Sequence, residues 1–287
     1  MTRVTADILK TIYEPRPADA KKYDYGLLFV IGGSEFYPGA PALAALAGFR
    51  AGVDMVRIVA PRRAADIIAS YSPVLAAYPL HGDRLVKEHL PVLLEKTGDA
   101  KEVSDGRMAV VIGSGLGRPQ ETKDLVAEYV SQIDVSAVID ADAIHAVAQD
   151  TQLLAGKPFV ITPHAYEFKV LTGREVGSLL KEERIKVVQE EAARLQTTIL
   201  LKGETDIISN GTEVLVNKAG SPYLSGGGTG DTLAGIVGAL LARGVNPLEA
   251  AAAAAYINGK AGEIAAKKLK ESLVATDLIE AISVVIG

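Results

Sequence analysis

Four glycines, one threonine and one aspartate crowd into residues 226–231, which read Gly-Gly-Gly-Thr-Gly-Asp, and an apolar helical run over 233–241 follows at once. A glycine-rich turn that opens a helix leaves backbone N–H groups unpaired and aimed at one spot, at the positive end of the helix dipole. That geometry binds anions, phosphate above all. Gly227, Gly228 and Gly230 are the candidate cradle. Asp231 is the odd member, because a carboxylate repels phosphate. It makes sense if it takes a proton from a group beside the phosphate. The helix N-terminus is expected to keep it ionised, ready as an acceptor but weak as a base. The competing reading is a flexible loop with Asp231 as a helix cap. Four glycines in five positions are costly in backbone entropy for a mere connector.

The other candidates stand at the ends of apolar runs. Strands are expected at 27–31, 55–60, 108–112, 137–139, 159–161 and 198–201, each nearly continuous in apolar residues, as in a parallel sheet buried on both faces. These runs empty into Gly32-Gly33-Ser34, into Gly113-Ser114-Gly115-Leu116-Gly117, into Asp140-Ala141-Asp142, into Thr162-Pro163-His164 and into Lys202-Gly203. Active sites in such folds collect at the carboxyl ends of the strands. Taken singly, each signal has a plain alternative. His164 is also a good turn residue, Glu167 also suits the first turn of a helix, and Lys202-Gly203-Glu204-Thr205 also reads as a turn with a solvated lysine. Glu167 could instead orient water around a magnesium ion carried by a nucleotide. Ala40-Pro41 reads as a helix entry with proline near its first position.

Helices at 40–51, 63–70, 87–95, 121–131 and 181–195 alternate with these strands. A hairpin follows, with strands 206–209 and 213–216 flanking Asn210-Gly211. Helices at 230–243, 247–268 and 276–285 complete the chain. No repeat, linker or composition break divides it, so one α/β domain over 1–287 is expected, with helices on both faces of a mostly parallel sheet.

Composition narrows the function. Hydrophobic residues make up 48% of the chain, enough for a sizeable core, and the formal net charge of −5 without a dense basic run argues against nucleic-acid or anionic-membrane partners. The absence of cysteine excludes disulfides, thiolate metal sites and cysteine nucleophiles. The first residues lack the apolar segment of a signal peptide, and the alanine run over 250–255 is too short to span a bilayer, so a cytoplasmic protein is expected. Neither the Walker P-loop nor the Gly-x-Gly-x-x-Gly dinucleotide fingerprint occurs, and the four histidines form no metal-ligand spacing.

In order along nearly the whole chain, Gly32-Gly33-Ser34 with Gly39-Ala40-Pro41, Gly113-x-Gly115-Leu116-Gly117, Asp140-Ala141-Asp142-Ala143, Thr162-Pro163-His164-x-x-Glu167, Leu201-Lys202-Gly203 and Gly227-Gly228-Thr229-Gly230-Asp231 resemble the motifs of the ADP/ATP-dependent NAD(P)H-hydrate dehydratases, of the ribokinase-like fold. The resemblance implies a three-layer α/β/α domain and a hydro-lyase that repairs hydrated NADH or NADPH, the S epimer. ADP or ATP, with ADP favoured, would phosphorylate the ring hydroxyl, and phosphate would then be eliminated. It implies that Ala40, Pro41, Gly115, His164 and Asp231 face the hydrated dinucleotide. Lys202, Gly203, Glu204, Thr205, Asp206, Gly227 and Gly230 would face the adenine nucleotide, with Glu167 near Mg2+. Asp231, Gly228 and Gly230 would carry the catalysis. It further implies a homo-oligomer and a separate epimerase as pathway partner, since the chain starts almost directly at the kinase-like fold. Departures are Ser114 where the family usually has proline, Ala165-Tyr166 for its Pro-Gly, and Gly220-Ser221 for its Gly-Asn. A vitamin-precursor kinase of the same fold, for a substrate such as hydroxyethylthiazole, would share the glycine loop and Asp231. A nucleotide-binding regulator would have less reason to keep the acid.

Overall fold

The computed structural model describes residues 1–287. In chain order its elements are β1 (Thr2–Arg3), α1 (Asp7–Lys10), β2 (Leu27–Ile31), α2 (Ala40–Arg50), β3 (Met55–Pro61), α3 (Arg62–Tyr71), β4 (Ala76–Leu80), α4 (Leu90–Val103), β5 (Met108–Ile112), α5 (Gln120–Gln132) and β6 (Ser136–Ile139). Then come α6 (Asp142–Val147), β7 (Phe159–Ile161), α7 (Ala165–Thr172), α8 (Lys181–Leu195), β8 (Thr198–Leu201), β9 (Asp206–Ser209), β10 (Val214–Asn217), α9 (Thr229–Ala242), α10 (Pro247–Leu269) and α11 (Ala275–Ile286).

All ten strands form one sheet, ordered β1-β10-β9-β8-β7-β6-β5-β2-β3-β4. From β8 to β4 every neighbour is parallel, and β9 alone runs antiparallel to both β8 and β10. The alternation of the central strand shows why a continuous apolar run was needed. Leu28 and Val30 enter one core, while Leu27, Phe29 and Ile31 enter the other, and all five are essentially inaccessible. The first core is closed by α2, α9, α10 and α11, the second by α4, α5, α6 and α8.

Strand order reverses at the centre. From β2 the chain steps outward to β3 and β4, then returns to β5 on the other side and steps outward to β8. The crevice at that reversal, beyond the carboxyl ends of β2 and β5, is where open α/β sheets bind ligands. The start of α9 is brought to the crevice by close packing on α2. A Cβ on Gly235 would lie 2.1 Å from the Ala44 carbonyl oxygen, so only glycine permits this approach.

Strands β1 and β4 and the short helices α1 and α6 were not expected from the sequence, α4 differs at both ends, and most other bounds shift by only a residue. β1 has two exposed residues and pairs only with β10, so it carries no apolar signal. β4 contains Pro79, which cannot donate to a ladder. It is tolerated because β4 is the sheet edge. The expected helix 87–95 is instead a short 3-10 turn, Lys87–His89, followed by α4, which starts at the proline signal of Pro91 and runs eight residues further than expected, through Gly98. The acid-bearing segment after β6 turns at once into the short helix α6.

Candidate active site

At the head of α9 the glycine loop forms an opening for an anion. Gly228 is the N-cap residue, with φ +92 and no side-chain cap, and Thr229 is the first helical residue. The backbone N–H groups of residues 227–231 donate to nothing else in the chain, and the first paired amide is that of Thr232, bonded to the Gly228 carbonyl at 3.1 Å. The loop is held from within by Thr229, whose hydroxyl donates to the carbonyls of Leu224 at 2.7 Å and Gly226 at 3.0 Å. Five unpaired amides at the positive end of a 14-residue helix fit a phosphate oxyanion.

Gly228 and Gly230 do different work. Besides the left-handed backbone of Gly228, a Cβ there would sit 2.6 Å from Leu43 Cδ1, so this glycine is required by the fold. Gly230 is helical, and a Cβ on it would meet only Lys202 Nζ, at 3.6 Å. Gly230→Val should therefore fold with an unchanged or higher melting temperature and lose turnover about 10²-fold by displacing phosphate from the amides. Gly228→Val should lower the melting temperature as well. Thermal melts beside turnover separate the two, and a fully active Gly230→Val would place the cradle elsewhere.

Asp231 is half-buried on the first turn of α9. The expectation that the helix N-terminus keeps it ionised is overturned. Burial, reinforced by the negative charge of Asp140, pushes its pKa up to about 7. Ser114 and Lys202 pull the other way, and Asp142 pushes upward. Desolvation outweighs the helix dipole here. The consequence favours chemistry, because a carboxyl that titrates near neutrality is a far better base than an ordinary aspartate.

Lys202 is no solvated turn lysine. Its ammonium donates to Asp140 Oδ1 at 3.0 Å and lies 3.6 Å from Glu167 Oε2, with only 20% of its side chain exposed. Burial disfavours its charge, but Asp140, Glu167 and Asp231 more than offset this and hold its pKa above the usual lysine value. Asp140 also accepts from the Thr162 hydroxyl at 2.7 Å. The lysine is the cation at the centre of a buried acidic cluster built from the ends of β6, β7 and β8.

Glu167 and His164 form a capping box at the start of α7. The His164 amide donates to Glu167 Oε2 at 2.9 Å, and the Glu167 amide donates to His164 Nδ1 at 3.2 Å. The helix-cap reading of both residues therefore holds structurally, alongside any role in binding. No group of three or more His, Cys, Asp or Glu side chains is arranged to hold a metal ion. Magnesium needs no such cage when phosphates and water complete its shell, and Glu167 beside the cradle fits that use.

A cavity of about 910 Å³ opens beside the cradle, lined by Lys202, Gly203, Glu204, Thr205, Asp206 and Gly230 among others. These are six of the seven residues expected to face the nucleotide. The seventh, Gly227, stands on the loop outside the lining. Asp206 accepts from the Gly203 amide at 3.1 Å and from Asn217 Nδ2 at 3.0 Å, and its burial raises its pKa to about 6. His164, expected on the dinucleotide side, lines this same cavity. Ala40, Pro41 and Gly115 lie on the other side of the cradle, at the β2 and β5 ends. A Cβ on Gly115 would be 3.0 Å from Ala40 Cβ, and Pro41 Cγ approaches the Cβ positions of Gly32 and Gly33 at 3.3 Å. Asp231 faces Ser114 at that end. Asp231 thus stands beside the amide cradle, between the Lys202–Asp206 cavity and the ends of β2 and β5.

The family model described as NAD(P)H-hydrate dehydratase matches residues 28–284, which includes every part of this site. The chain belongs to the NAD(P)H-hydrate dehydratase family. It is 39% identical over 282 residues to an ADP-dependent (S)-NAD(P)H-hydrate dehydratase of Nitrosopumilus maritimus, covering 98% of this chain and 96% of that one. It is 46% identical over 267 residues to a bifunctional NAD(P)H-hydrate repair enzyme of Pyrobaculum aerophilum, covering 92% of this chain and 51% of that protein, so the chain spans about half the length of the bifunctional relatives. The crystal structure of the Bacillus subtilis ADP/ATP-dependent NAD(P)H-hydrate dehydratase, co-crystallised with ATP/Mg2+, superposes with a TM-score of 0.77 at 27% identity, covering 98% of this chain and 96% of that one. The fold is ribokinase-like.

Within this dehydratase-family site, several working residues were given no role from sequence. Asp140 and Asp142 sat in a recognised motif without an assigned partner. Asp142 accepts from the Gly117 amide at 2.8 Å and from Arg118 Nε at 2.7 Å, which fixes the turn after β5. Asn258 accepts from the Thr232 hydroxyl at 2.8 Å and braces the first turn of α9. Its signal was available, as one amide side chain set in the apolar face of an alanine-rich helix.

Proposed function

We propose that this chain dehydrates the S epimer of hydrated NADH and NADPH back to the reduced dinucleotides at the expense of a nucleotide, ADP in preference to ATP. Its family membership and its ADP-dependent relatives support this reading. The observation that carries the chemistry is the pairing of five unpaired amides with a carboxyl titrating near neutrality. Hydroxide is a poor leaving group, and phosphate a good one. Asp231 takes the proton of the ring hydroxyl, whose oxygen attacks the terminal phosphorus of ADP, and the bond to AMP breaks. The amides of residues 227–230 hold the oxygens on which charge develops. The ring nitrogen's lone pair then expels phosphate as the carbon–oxygen bond breaks, and the iminium ion so formed loses a proton from the neighbouring ring carbon, to the departing phosphate or to water, which restores the reduced ring.

The cavity lined by Lys202–Asp206 and Gly230 takes the adenine nucleotide, and the crevice end at Ala40, Pro41 and Gly115 takes the hydrated ring. His164 lines the nucleotide cavity. When it enters with the nucleotide, magnesium would supply charge neutralisation, and Glu167 would orient its water. A separate epimerase that supplies the S epimer, a homo-oligomeric state and a cytoplasmic location belong to the same proposal.

Hydrated NADH incubated with the protein, ADP and magnesium should regain the absorbance of reduced nicotinamide, with one AMP and one phosphate formed per NADH. A phosphorylated alcohol accumulating instead, from a precursor such as hydroxyethylthiazole, would move the chain to the kinase reading. That reading has less support, because the matching family model and the ADP-dependent relatives are dehydratases.

A further inference from the structure

Ser114 follows β5 at the point where strand order reverses. Its main chain is pinned, since its carbonyl accepts from the Gly33 amide at 2.8 Å. Its side chain is wholly buried, and its hydroxyl has no hydrogen-bond partner. A buried hydroxyl without a partner is costly and uncommon, and calls for a reason. The reason stands opposite it. Ser114 follows β5, and α9, whose first turn carries Asp231, packs against that strand; the hydroxyl favours the charged form of the Asp231 carboxyl, yet has no completed hydrogen bond. A hydroxyl turns freely about its Cβ–O bond and can donate as soon as an acceptor requires it.

We propose that Ser114 is a positioning residue that donates its hydroxyl hydrogen to the ionised Asp231 carboxylate, holding one carboxylate oxygen and leaving the other to receive the proton of the substrate hydroxyl. The idea rests on the proposed reaction only through the role of Asp231. Other ionisable groups face Asp231 from two elements: Asp140 and Asp142 from the end of β6, and Lys202 from the end of β8, with Glu167 behind the lysine. The acids disfavour the charged form, and the lysine favours it. Among these neighbours Ser114 is the one uncharged donor, so it can favour the carboxylate without adding charge beside the phosphate.

Ser114→Ala removes the donor and little volume. The acid limb of the kcat–pH profile should move to higher pH by about half a unit or more, because the charged form loses a hydrogen bond. Above the new limb kcat should recover most of its wild-type value. A second measurement does not need turnover. Melting temperatures of wild type, Ser114→Ala, Asp231→Asn and the double variant are compared at pH 5 and pH 8. The serine change should lower stability more at pH 8, where Asp231 is ionised, and that excess should vanish in the Asp231→Asn background. An unmoved acid limb, or an equal loss at both pH values that persists without Asp231, would overturn the proposal. If the wild type dehydrates nothing, the proposed function fails, and the four-variant comparison alone decides the role of Ser114.

Discussion

Asp231→Asn is expected to lose turnover by about 10²–10⁴-fold, the range for losing a general base, while nucleotide affinity holds or improves. Amide replaces carboxylate without changing shape, and it removes a negative charge from the neighbourhood of the phosphates. The same substitution should make the protein more stable at alkaline pH. The folded-state pKa of Asp231 is raised from 3.8 to about 7, with burial the largest cause. The folded protein therefore holds that proton more tightly than the unfolded chain does. Between those two values stability falls as pH rises, and the cost is complete above about 7. Asparagine carries no such cost. Its melting temperature should exceed wild type at pH 8, and the gap should close as pH falls through that window. For wild type, kcat should rise through an acid limb near pH 7, where the base ionises. Turnover within a few-fold of wild type in the asparagine variant would remove Asp231 from the chemistry. An equal gap at every pH would remove the account of its burial.

The conflict between helix dipole and burial at Asp231 marks where sequence reading stops. The glycine loop, the following helix and the acid at its first turn were all legible, because each is a local signal. So were β2, β5, β7 and β8, whose apolar runs coincide with the observed strands. Burial of one carboxyl is not local. It depends on Asp140, 91 positions upstream, and on Lys202, which pairs with Asp140 across 62 positions. No spacing rule reports such a meeting. Ser114 is the sharpest case. In sequence it is a small polar residue in a glycine turn, and its significance appears only when β5 and α9 meet across the crevice. β4 and β1 were hidden for the opposite reason: they lie at the sheet edges, bury little, and so need no strong pattern.

Lys202→Met should cost more stability than any other single change at the site. Asp140 and Glu167 have 2% and 5% of their side chains exposed, and Lys202 is the cation that holds both. Methionine keeps the length of the side chain and most of its packing, and it removes the charge. Breaking a buried pair by removing one partner typically costs about 3–5 kcal/mol, because the remaining charge is left uncompensated. Three carboxyls are left here, Asp140, Glu167 and Asp231, all of which the lysine attracts. Without it the folded-state pKa of Asp231, already raised by burial, should rise further. An acid whose folded pKa lies above its unfolded value loses stability as pH rises, so the deficit should be larger at pH 8 than at pH 5. Denaturant unfolding at the two pH values measures this directly. Activity should fall as well, with its acid limb moved upward, since Asp231 loses the one cation that favours its ionised form. A deficit of the same size at both pH values would mean that packing, not charge, is what Lys202 supplies. A variant as stable as wild type at pH 8 would mean that the lysine contributes nothing to the folded state and serves only the nucleotide that comes to lie beside it.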